Sequence, residues 1–203
     1  MEMLIEVVAG PEGESAMRRI RREVFEDEMG IALAPPEVSE RNAVAHLLAR
    51  AGTRREPVGT LSVIDTSGDV QLHAAHGLGF GPWARAARFT HLAVLKPFRG
   101  RNLPLMMMLE AHRLFVAPRR FDYSWLLFDA ERAPDSFLSR LLGFTPKDAV
   151  FVSEYGRRCA LVRDERAGEA ARAIRRAERC LQQLRGDGAP AAATHAPAAY
   201  VIT

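Results

Sequence analysis

RFTHLAVLKPFRGRNLPLMMMLEAHRLF, residues 88–115, predicts a strand, a tight turn and a helix in immediate succession. Phe89 to Leu95 is a short apolar run that stops at Pro97, which is typical of a buried strand. From Leu103 to Phe115 the apolar residues recur at helical spacing.

The turn between the strand and the helix is basic and compact, with the sequence Arg99-Gly100-Arg101-Asn102. We expect Asn102 to cap the helix with its side-chain oxygen, while Pro104 is tolerated in the first turn, where N–H groups lack helical partners. Free N–H groups and the positive end of the helix dipole attract phosphate. The sequence therefore predicts an anion site here.

The spacing of this turn resembles the pyrophosphate loop of the GCN5-related N-acetyltransferases, the GNAT superfamily, whose loop amides hold the diphosphate of coenzyme A. The residues that fit the common form Arg-Gly-Arg-Gly-Leu-Gly are Arg99, Gly100, Arg101 and Leu103. Asn102 and Pro104 stand at glycine positions. Asparagine tolerates a left-handed backbone, whereas Pro104 deletes one N–H that would face the anion.

Three further segments resemble the same superfamily, in the same order along the chain. They are Arg21 to Ile31, which also resembles acyl-homoserine lactone synthases, His46-Leu47-Leu48-Ala49 with Pro57 to Leu61, and Leu138 to Phe144. In the last segment Ser139 replaces a tyrosine that often protonates the leaving thiolate, and an aliphatic alcohol is a poorer acid than a phenol with a pKa of about 10.

The resemblance implies an α/β (α+β) fold, a GNAT-like mixed, mostly antiparallel splayed sheet flanked by helices. We expect the acyltransferase domain over residues 1–163, a basic amphipathic helix over 164–186 and an Ala/Pro-rich tail over 187–203. Ser15 is expected to cap the first helix, with Arg18, Arg19, Arg21 and Arg22 on its polar side. Ala117-Pro118 is expected to end the central helix.

Composition limits the class of protein. The 203 residues are 48% hydrophobic, which suits one domain with a full core, and the net charge of +3 comes mainly from arginine. Arginine favours phosphate and carboxylate ligands. Two cysteines, no membrane-length apolar run and no signal peptide predict a cytoplasmic protein without a membrane anchor.

The predicted function is transfer of an acyl group from a coenzyme A thioester to the amine of a small molecule. One alternative keeps acyl transfer but takes the donor from an acidic carrier protein bearing phosphopantetheine or from an aminoacyl-tRNA, with the basic face of the C-terminal helix as a contact. Another is a non-catalytic GNAT domain that only binds a ligand. The apolar stripe of the C-terminal helix packs either on the core or on a second subunit in a homodimer.

Site residues follow from the resemblance and from elementary chemistry. His91 is the first candidate for the catalytic base, because an imidazole has an ordinary pKa of about 6.5; Glu28 is the second and His46 the third. The residues assigned to coenzyme A are Leu92, Val94, Arg99, Gly100, Arg101, Asn102, Leu103 and Arg132. A regular strand would place Thr90 and His91 on opposite faces. No metal site is predicted, since His73 and His76 lack a third ligand.

The remaining segments are two loops. Ala34-Pro35-Pro36 is predicted to be a loop over the acceptor site. Residues 67–87 are either a mobile loop with apolar anchors at Phe80 and Trp83, or an ordinary surface insertion.

Overall fold

A computed structural model describes residues 2–32, 43–153 and 156–186. The predicted loop at Ala34-Pro35-Pro36 and the tail over 187–203 lie outside the described residues.

One seven-stranded sheet organises the described chain, in the order β1-β2-β3-β4-β5-β7-β6. The strands are β1 (Met3–Val7), β2 (Ala43–Ala51), β3 (Glu56–Asp65), β4 (Ala86–Val94), β5 (Tyr123–Asp129), β6 (Thr145–Ser153) and β7 (Gly156–Asp164). Neighbouring strands are antiparallel except β4 and β5, which are parallel. β2 and β3 form an antiparallel hairpin in which Leu47 stands opposite Leu61, so the segments that resemble the GNAT superfamily lie side by side.

The first helix begins earlier than the sequence prediction. α1 (Gly10–Arg21) starts with Pro11 in its first turn, where a missing N–H costs nothing, and it continues as a π-helical turn, Arg22–Glu28. Ser15 therefore lies inside the helix and does not cap it. Ile20, Val24 and Phe25 are fully buried against β2 and β4, so α1 covers one face of the sheet.

The central helix covers the opposite face. α3 (Leu103–Ala111) continues as a π-helical turn, His112–Val116, and then as α4 (Ala117–Arg119), which ends where Arg120 adopts a φ of 53°. The prediction that Ala117-Pro118 ends the helix is wrong, because Pro118 falls in the first turn of α4, where a helix tolerates proline.

Residues 66–84 form an ordered cover on the α1 face of β5 and β7. α2 (Val70–Ala75) was not anticipated, and its His73 is fully buried, with its ring 4.9 Å from that of Phe80 and 6.1 Å from that of Trp125. Phe80 is thus an anchor, as expected, whereas the other expected anchor, Trp83, is 91% exposed.

The last helices complete the core. α5 (Phe137–Arg140) is capped by Ser136, and α6 (Gly168–Gly186) begins after the predicted Asp164 because β7 runs through that residue. Ala177 of α6 belongs to the main core, with Ile174 and Leu181 packed against it. The apolar stripe of α6 therefore packs on its own domain.

The sheet is open between β4 and β5. These strands pair only from Ala86 to Arg88 with Tyr123 to Trp125. Farther along, and within the part of the chain that the structure describes, β4 pairs only with β3, through Val94, and β5 pairs only with β7, through Asp129. The expected mixed, mostly antiparallel splayed sheet flanked by helices is confirmed.

Gly77 offers a test of how the cover over β5 is held. Its φ is +66°, and an added Cβ would lie 2.5 Å from the Cβ of Ala149 on β6, whereas Gly52 has a φ of +69° and open space around it. Gly52→Ala should cost about 1 kcal/mol for the left-handed backbone. Gly77→Ala should cost roughly 1–3 kcal/mol more because of the clash. Chemical denaturation measures the free energy of unfolding of both variants. Equal losses of stability would show that residues 66–84 shift readily to accommodate the added methyl group.

Candidate active site

A bulge in β4 lies beside the opening of the sheet. Ser62 pairs with Thr90 and Thr60 pairs with Ala93, so Leu61 alone stands opposite His91 and Leu92. The φ of His91 is +52°, the left-handed conformation that such a bulge requires.

The bulge changes which face Thr90 and His91 occupy. Phe89 and Leu92 both pack in the core under α3, so the two residues between them face α1. The ring of His91 meets that of Phe25 edge-on at 6.3 Å, and Thr90 Oγ1 lies 3.4 Å from His91 Nδ1. The prediction that these two side chains point to opposite faces is wrong, since it assumed a regular strand.

His46 belongs to the same site. It pairs with Ser62 on β3, which pairs with Thr90 on β4, so the three form a row across the sheet under α1. Arg21 of α1 donates to Ser62 Oγ, and that hydroxyl lies 2.6 Å from His46 Nδ1. Nη2 of Arg21 also lies 3.5 Å from Nδ1, and a cationic donor facing Nδ1 favours the tautomer of His46 that carries its hydrogen on Nε2.

Burial and positive charge keep both imidazoles neutral. Burial, and then the charge of Arg21, lower the pKa of His46 to about 4. Burial, followed by Arg21, Arg88 and His46, lowers the pKa of His91 to about 3. At neutral pH each ring therefore has an unprotonated nitrogen that can accept a proton, although it is a weak base.

Glu28 and Arg99 are bound to each other. The two guanidinium nitrogens Nη1 and Nη2 donate to the two carboxylate oxygens, each at 2.5 Å, and Nε donates to the carbonyl of Val94 at 2.9 Å. The hydrogen bond from Arg99 holds the pKa of Glu28 below its usual value, in spite of some burial. A carboxylate in this fork is a poor proton acceptor, and the fork ties the end of the α1 segment to the turn after β4.

The turn before α3 presents main-chain N–H groups. Gly100 and Asn102 have φ values of +76° and +57°, so asparagine does take the left-handed conformation expected of it. Its side chain does not cap α3, which corrects that prediction; its carbonyl instead accepts from the N–H of Met106 at 3.0 Å. Within the described ranges, no carbonyl accepts from the N–H of Gly100, Asn102 or Leu103.

The other residues assigned to coenzyme A differ in what they can offer. Leu92 and Val94 are buried, with side chains in the core cluster under α3, so only their main chain can face the opening. Arg101 lies over the ring of Phe98 at 5.7 Å. Arg132 is exposed in the turn after β5. Because β4 and β5 are parallel, this turn and the turn before α3 flank the same end of the opening.

Ser139 cannot stand in for a tyrosine acid. Its hydroxyl donates to the carbonyl of Ala133 at 2.6 Å, and its N–H donates to the capping Ser136. The hydroxyl therefore helps to hold the turn before α5 rather than pointing freely towards a leaving group.

Sequence reasoning missed Arg21, Ser62 and Arg88 as members of the site. Arg21 was expected on the polar side of α1, but it is buried, with 6% of its surface exposed. A signal was available, since Arg21 follows the buried Met17 by four residues and so shares its face. Arg88 is likewise buried, inside an apolar strand.

No group of three His, Cys, Asp or Glu side chains in the described part of the chain could hold a metal ion. None of the helices found there is long and apolar enough to cross a membrane.

Comparison with known proteins identifies the fold. No family model and no curated protein sequence matches the chain. Among solved structures, BjaI, a coenzyme A-dependent acyl-homoserine lactone synthase solved with SAM and isopentyl-CoA, has a TM-score of 0.62 at 17% identity, over 87% of this chain and 90% of that one.

FeeM, an N-acyl amino acid synthase from uncultured soil microbes, has a TM-score of 0.59 at 19% identity, over 80% of this chain and 90% of that one. An acetyltransferase of the GNAT family from Staphylococcus aureus has a TM-score of 0.55 at 14% identity, over 80% and 99%. The chain therefore has the GNAT fold, and its structural similarity to BjaI covers 87% of its length.

The buried histidines predict acid sensitivity. The unfolded chain binds protons at His46 and His91 as pH falls below about 6.5, whereas the folded chain resists until about pH 4 and pH 3. Unfolding is therefore favoured progressively between pH 7 and pH 4, and stability is regained as pH rises. At pH 5 the loss should be roughly 1 kcal/mol per histidine after allowance for solvent screening.

His91→Asn keeps a residue suited to a left-handed backbone, and His46→Gln keeps a polar side chain. Each should flatten the dependence of the free energy of unfolding on pH between 7.5 and 5, and neither should alter its slope between pH 7.5 and 8.5. Slopes identical to the wild type below pH 7 would show that these imidazoles are not held neutral.

Proposed function

We propose that this protein is an N-acyltransferase that moves an acyl group from a coenzyme A thioester to the amine of a small molecule. The observation that carries the proposal is the opening between β4 and β5. It begins after the pair Arg88 and Trp125, passes the bulge at His91 and ends beside the first turn of α3.

The opening suits a pantetheine arm. Beyond Arg88, no strand among the described residues pairs with the edge of β4 that faces β5, so the amides of pantetheine can bond to it as an added strand would. The coenzyme A phosphates would then reach the N–H groups of Gly100, Asn102 and Leu103. The isopentyl-CoA in the BjaI structure supports an acyl-CoA donor on this fold.

The reaction then needs little from side chains. The amine nitrogen attacks the thioester carbonyl, the C–N bond forms, and the C–S bond breaks as coenzyme A leaves. A main-chain N–H on β4 would stabilise the oxyanion. His91 would accept the proton of the attacking nitrogen, with His46 behind it, and the thiolate would take its proton from solvent, because Ser139 is engaged with Ala133.

A carrier-bound donor is the second candidate, favoured by the composition of the turn. Pro104 supplies no N–H, and the guanidinium of Arg99 is bound to Glu28. A phosphopantetheine arm on a carrier protein brings one phosphate, whereas coenzyme A brings a diphosphate and a ribose phosphate, so a turn with fewer donors suits it. A non-catalytic domain would bind a donor but would transfer no acyl group to any amine.

Titration calorimetry with acetyl-CoA tests the donor. Arg101→Gln should weaken binding by about fivefold at low salt, since a cation beside the N-terminus of α3 attracts phosphate. Arg119→Gln, an exposed change at the far end of the same helical segment, is the matched control and should leave affinity unchanged. If neither substitution changes the affinity for acetyl-CoA, the phosphates bind somewhere other than the turn before α3. If the wild-type protein does not bind acetyl-CoA, the carrier-bound donor is favoured.

His91→Asn tests the base. It should lower kcat by about a hundredfold or more while the affinity for acetyl-CoA stays near the wild-type value, because the loss concerns proton transfer. With a pKa of about 3, His91 should impose no loss of activity on acidification between pH 8 and pH 5. Wild-type kcat in this variant would assign proton acceptance to another group, and His46→Gln would be the next variant to measure.

A further inference from the structure

We propose that His46 donates a hydrogen bond from Nε2 to an oxygen of the acceptor substrate, and that Arg21 and Ser62 are positioning residues that hold its ring for this role. This inference rests on the proposed acyltransferase function and deepens it. The two histidines receive different roles, because His91 accepts a proton whereas His46 only shares one in a hydrogen bond. The acceptor is accordingly an amine that also carries an uncharged oxygen.

Two side chains occupy the Nδ1 side of the His46 ring. Ser62 Oγ lies 2.6 Å from Nδ1, and Nη2 of Arg21 lies 3.5 Å from Nδ1 while it donates to the same hydroxyl. Both side chains are buried, so two different elements, α1 and β3, hold the ring. A guanidinium has donors only, so it faces an unprotonated Nδ1 favourably, and the one hydrogen of the neutral ring then lies on Nε2.

The Nε2 side of the ring has no hydrogen-bond partner among the described residues. The two nitrogens of an imidazole lie on opposite edges of the ring, so Nε2 points away from Arg21 and Ser62. His46 is half-buried, whereas Ser62 and Thr90 in the same row are buried. His46 is therefore the member of this row that a ligand can reach, and it presents an N–H group to an oxygen.

The position of His46 assigns it to the acceptor rather than to coenzyme A. His46 lies on β2, and β3 separates β2 from β4, the strand that borders the opening. Because neighbouring strands are about 4.8 Å apart, the backbones of His46 and Thr90 are roughly 10 Å apart in their row. A pantetheine arm between β4 and β5 lies beyond that row, whereas a molecule that approaches His91 along the α1 face can contact both histidines. The oxygen is thus several bonds from the reacting nitrogen.

Arg21 also supports the division of roles. After burial, its positive charge is the next cause of the low pKa of both His46 and His91, so both rings are neutral at pH 7. A neutral imidazole has one N–H and one lone pair. At His46 the lone pair faces Arg21 and Ser62, so the N–H is the group left for the substrate.

Nitrogen-15 NMR of the histidine side chains tests the tautomer without turnover. Spectra at pH 7.5 should show His46 with its hydrogen on Nε2, and the loss of its signals in His46→Gln assigns them. Arg21→Gln and Ser62→Ala should each shift these signals towards the tautomer mixture that the same chain shows in denaturant. A hydrogen on Nδ1 in the wild-type protein, or signals that neither variant shifts, would overturn the inference.

Thr60→Val is the matched control for these variants. Thr60 lies on the same strand and face as Ser62, and its buried hydroxyl has no hydrogen-bond partner within the described ranges. The substitution removes a hydroxyl without touching the contacts of His46, so the signals of His46 should stay at their wild-type positions.

Amine pairs that differ in one oxygen test the donor role, with acetyl-CoA as the acyl donor. The pairs are 3-aminopropanol with butylamine, and 5-aminopentanol with hexylamine. The wild-type enzyme should prefer the alcohol by about fivefold in kcat/KM in at least one pair, which is the size of one neutral hydrogen bond. Equal kcat/KM within both pairs would contradict the proposal.

Variants at position 46 separate a hydrogen-bond donor from a base. Glutamine offers a side-chain N–H but does not accept a proton near neutral pH, whereas leucine offers neither function. His46→Gln should keep the preference for the alcohol within about twofold of the wild-type ratio, and His46→Leu should bring that ratio close to one. Calorimetry with acetyl-CoA shows that the site for the acyl donor is intact in both variants. Loss of the preference in both would rule out the donor role.

Failure of the inference and failure of the proposed function are distinguishable. If His46→Leu lowers kcat/KM for both members of each pair equally, His46 is structural, and the inference falls while acyl transfer stands. If the wild-type enzyme binds acetyl-CoA but acylates neither alcohol, the inference falls as well. If it binds no acetyl-CoA and acylates none of the four amines, the proposed function itself falls.

Discussion

The bulge at His91 is the constraint on which the rest of the structure depends. Two residues of β4 stand opposite one residue of β3, and a bulge of this kind bends its strand and increases its twist. β4 therefore leaves β5 directly after Arg88, and a row of main-chain groups in the middle of the sheet loses its neighbour. Such groups are costly to leave unbonded, so an opening of this kind is retained where a ligand can bond to them. The same bulge turns His91 to the α1 face, beside Thr90 and His46, so one backbone irregularity creates both the opening and the polar site beside it.

The two sides of the opening are held by different interactions. At its wide end, the fork between Arg99 and Glu28 ties the chain after β4 to the end of the α1 segment and fixes the turn that presents the N–H groups. At its narrow end, β4 and β5 pair from Ala86 to Arg88, and the guanidinium carbon of Arg88 lies 5.0 Å from the centroid of the Trp125 ring. Arginine serves in both places, but its contacts differ: Arg99 forms an ion pair with Glu28, whereas Arg88 lies against the Trp125 ring. Two of the arginines that make the composition basic thus form specific contacts, one at each end of the opening.

The sequence predicts those parts of the molecule that short-range patterns determine. β4 and the turn before α3 follow from an apolar run, proline and glycine, and the splayed sheet follows from the resemblance of segments in order. Other features depend on residues far apart in the chain. Glu28 and Arg99 are 71 residues apart, so their pairing could not be read from either segment. The face of His91 was mispredicted because a bulge is invisible to a pattern of period two, and Arg21 was assigned to solvent because charge was given more weight than its spacing from Met17.

The lowered pKa of His91 links these features to chemistry. A base with a pKa of about 3 is weak, chiefly because the imidazole is buried and then because of the positive charges of Arg21 and Arg88. The bulge that turns His91 to the α1 face also places it against Phe25 and within the field of Arg21. The imidazole therefore stays unprotonated at neutral pH and could accept a proton without first having to lose one.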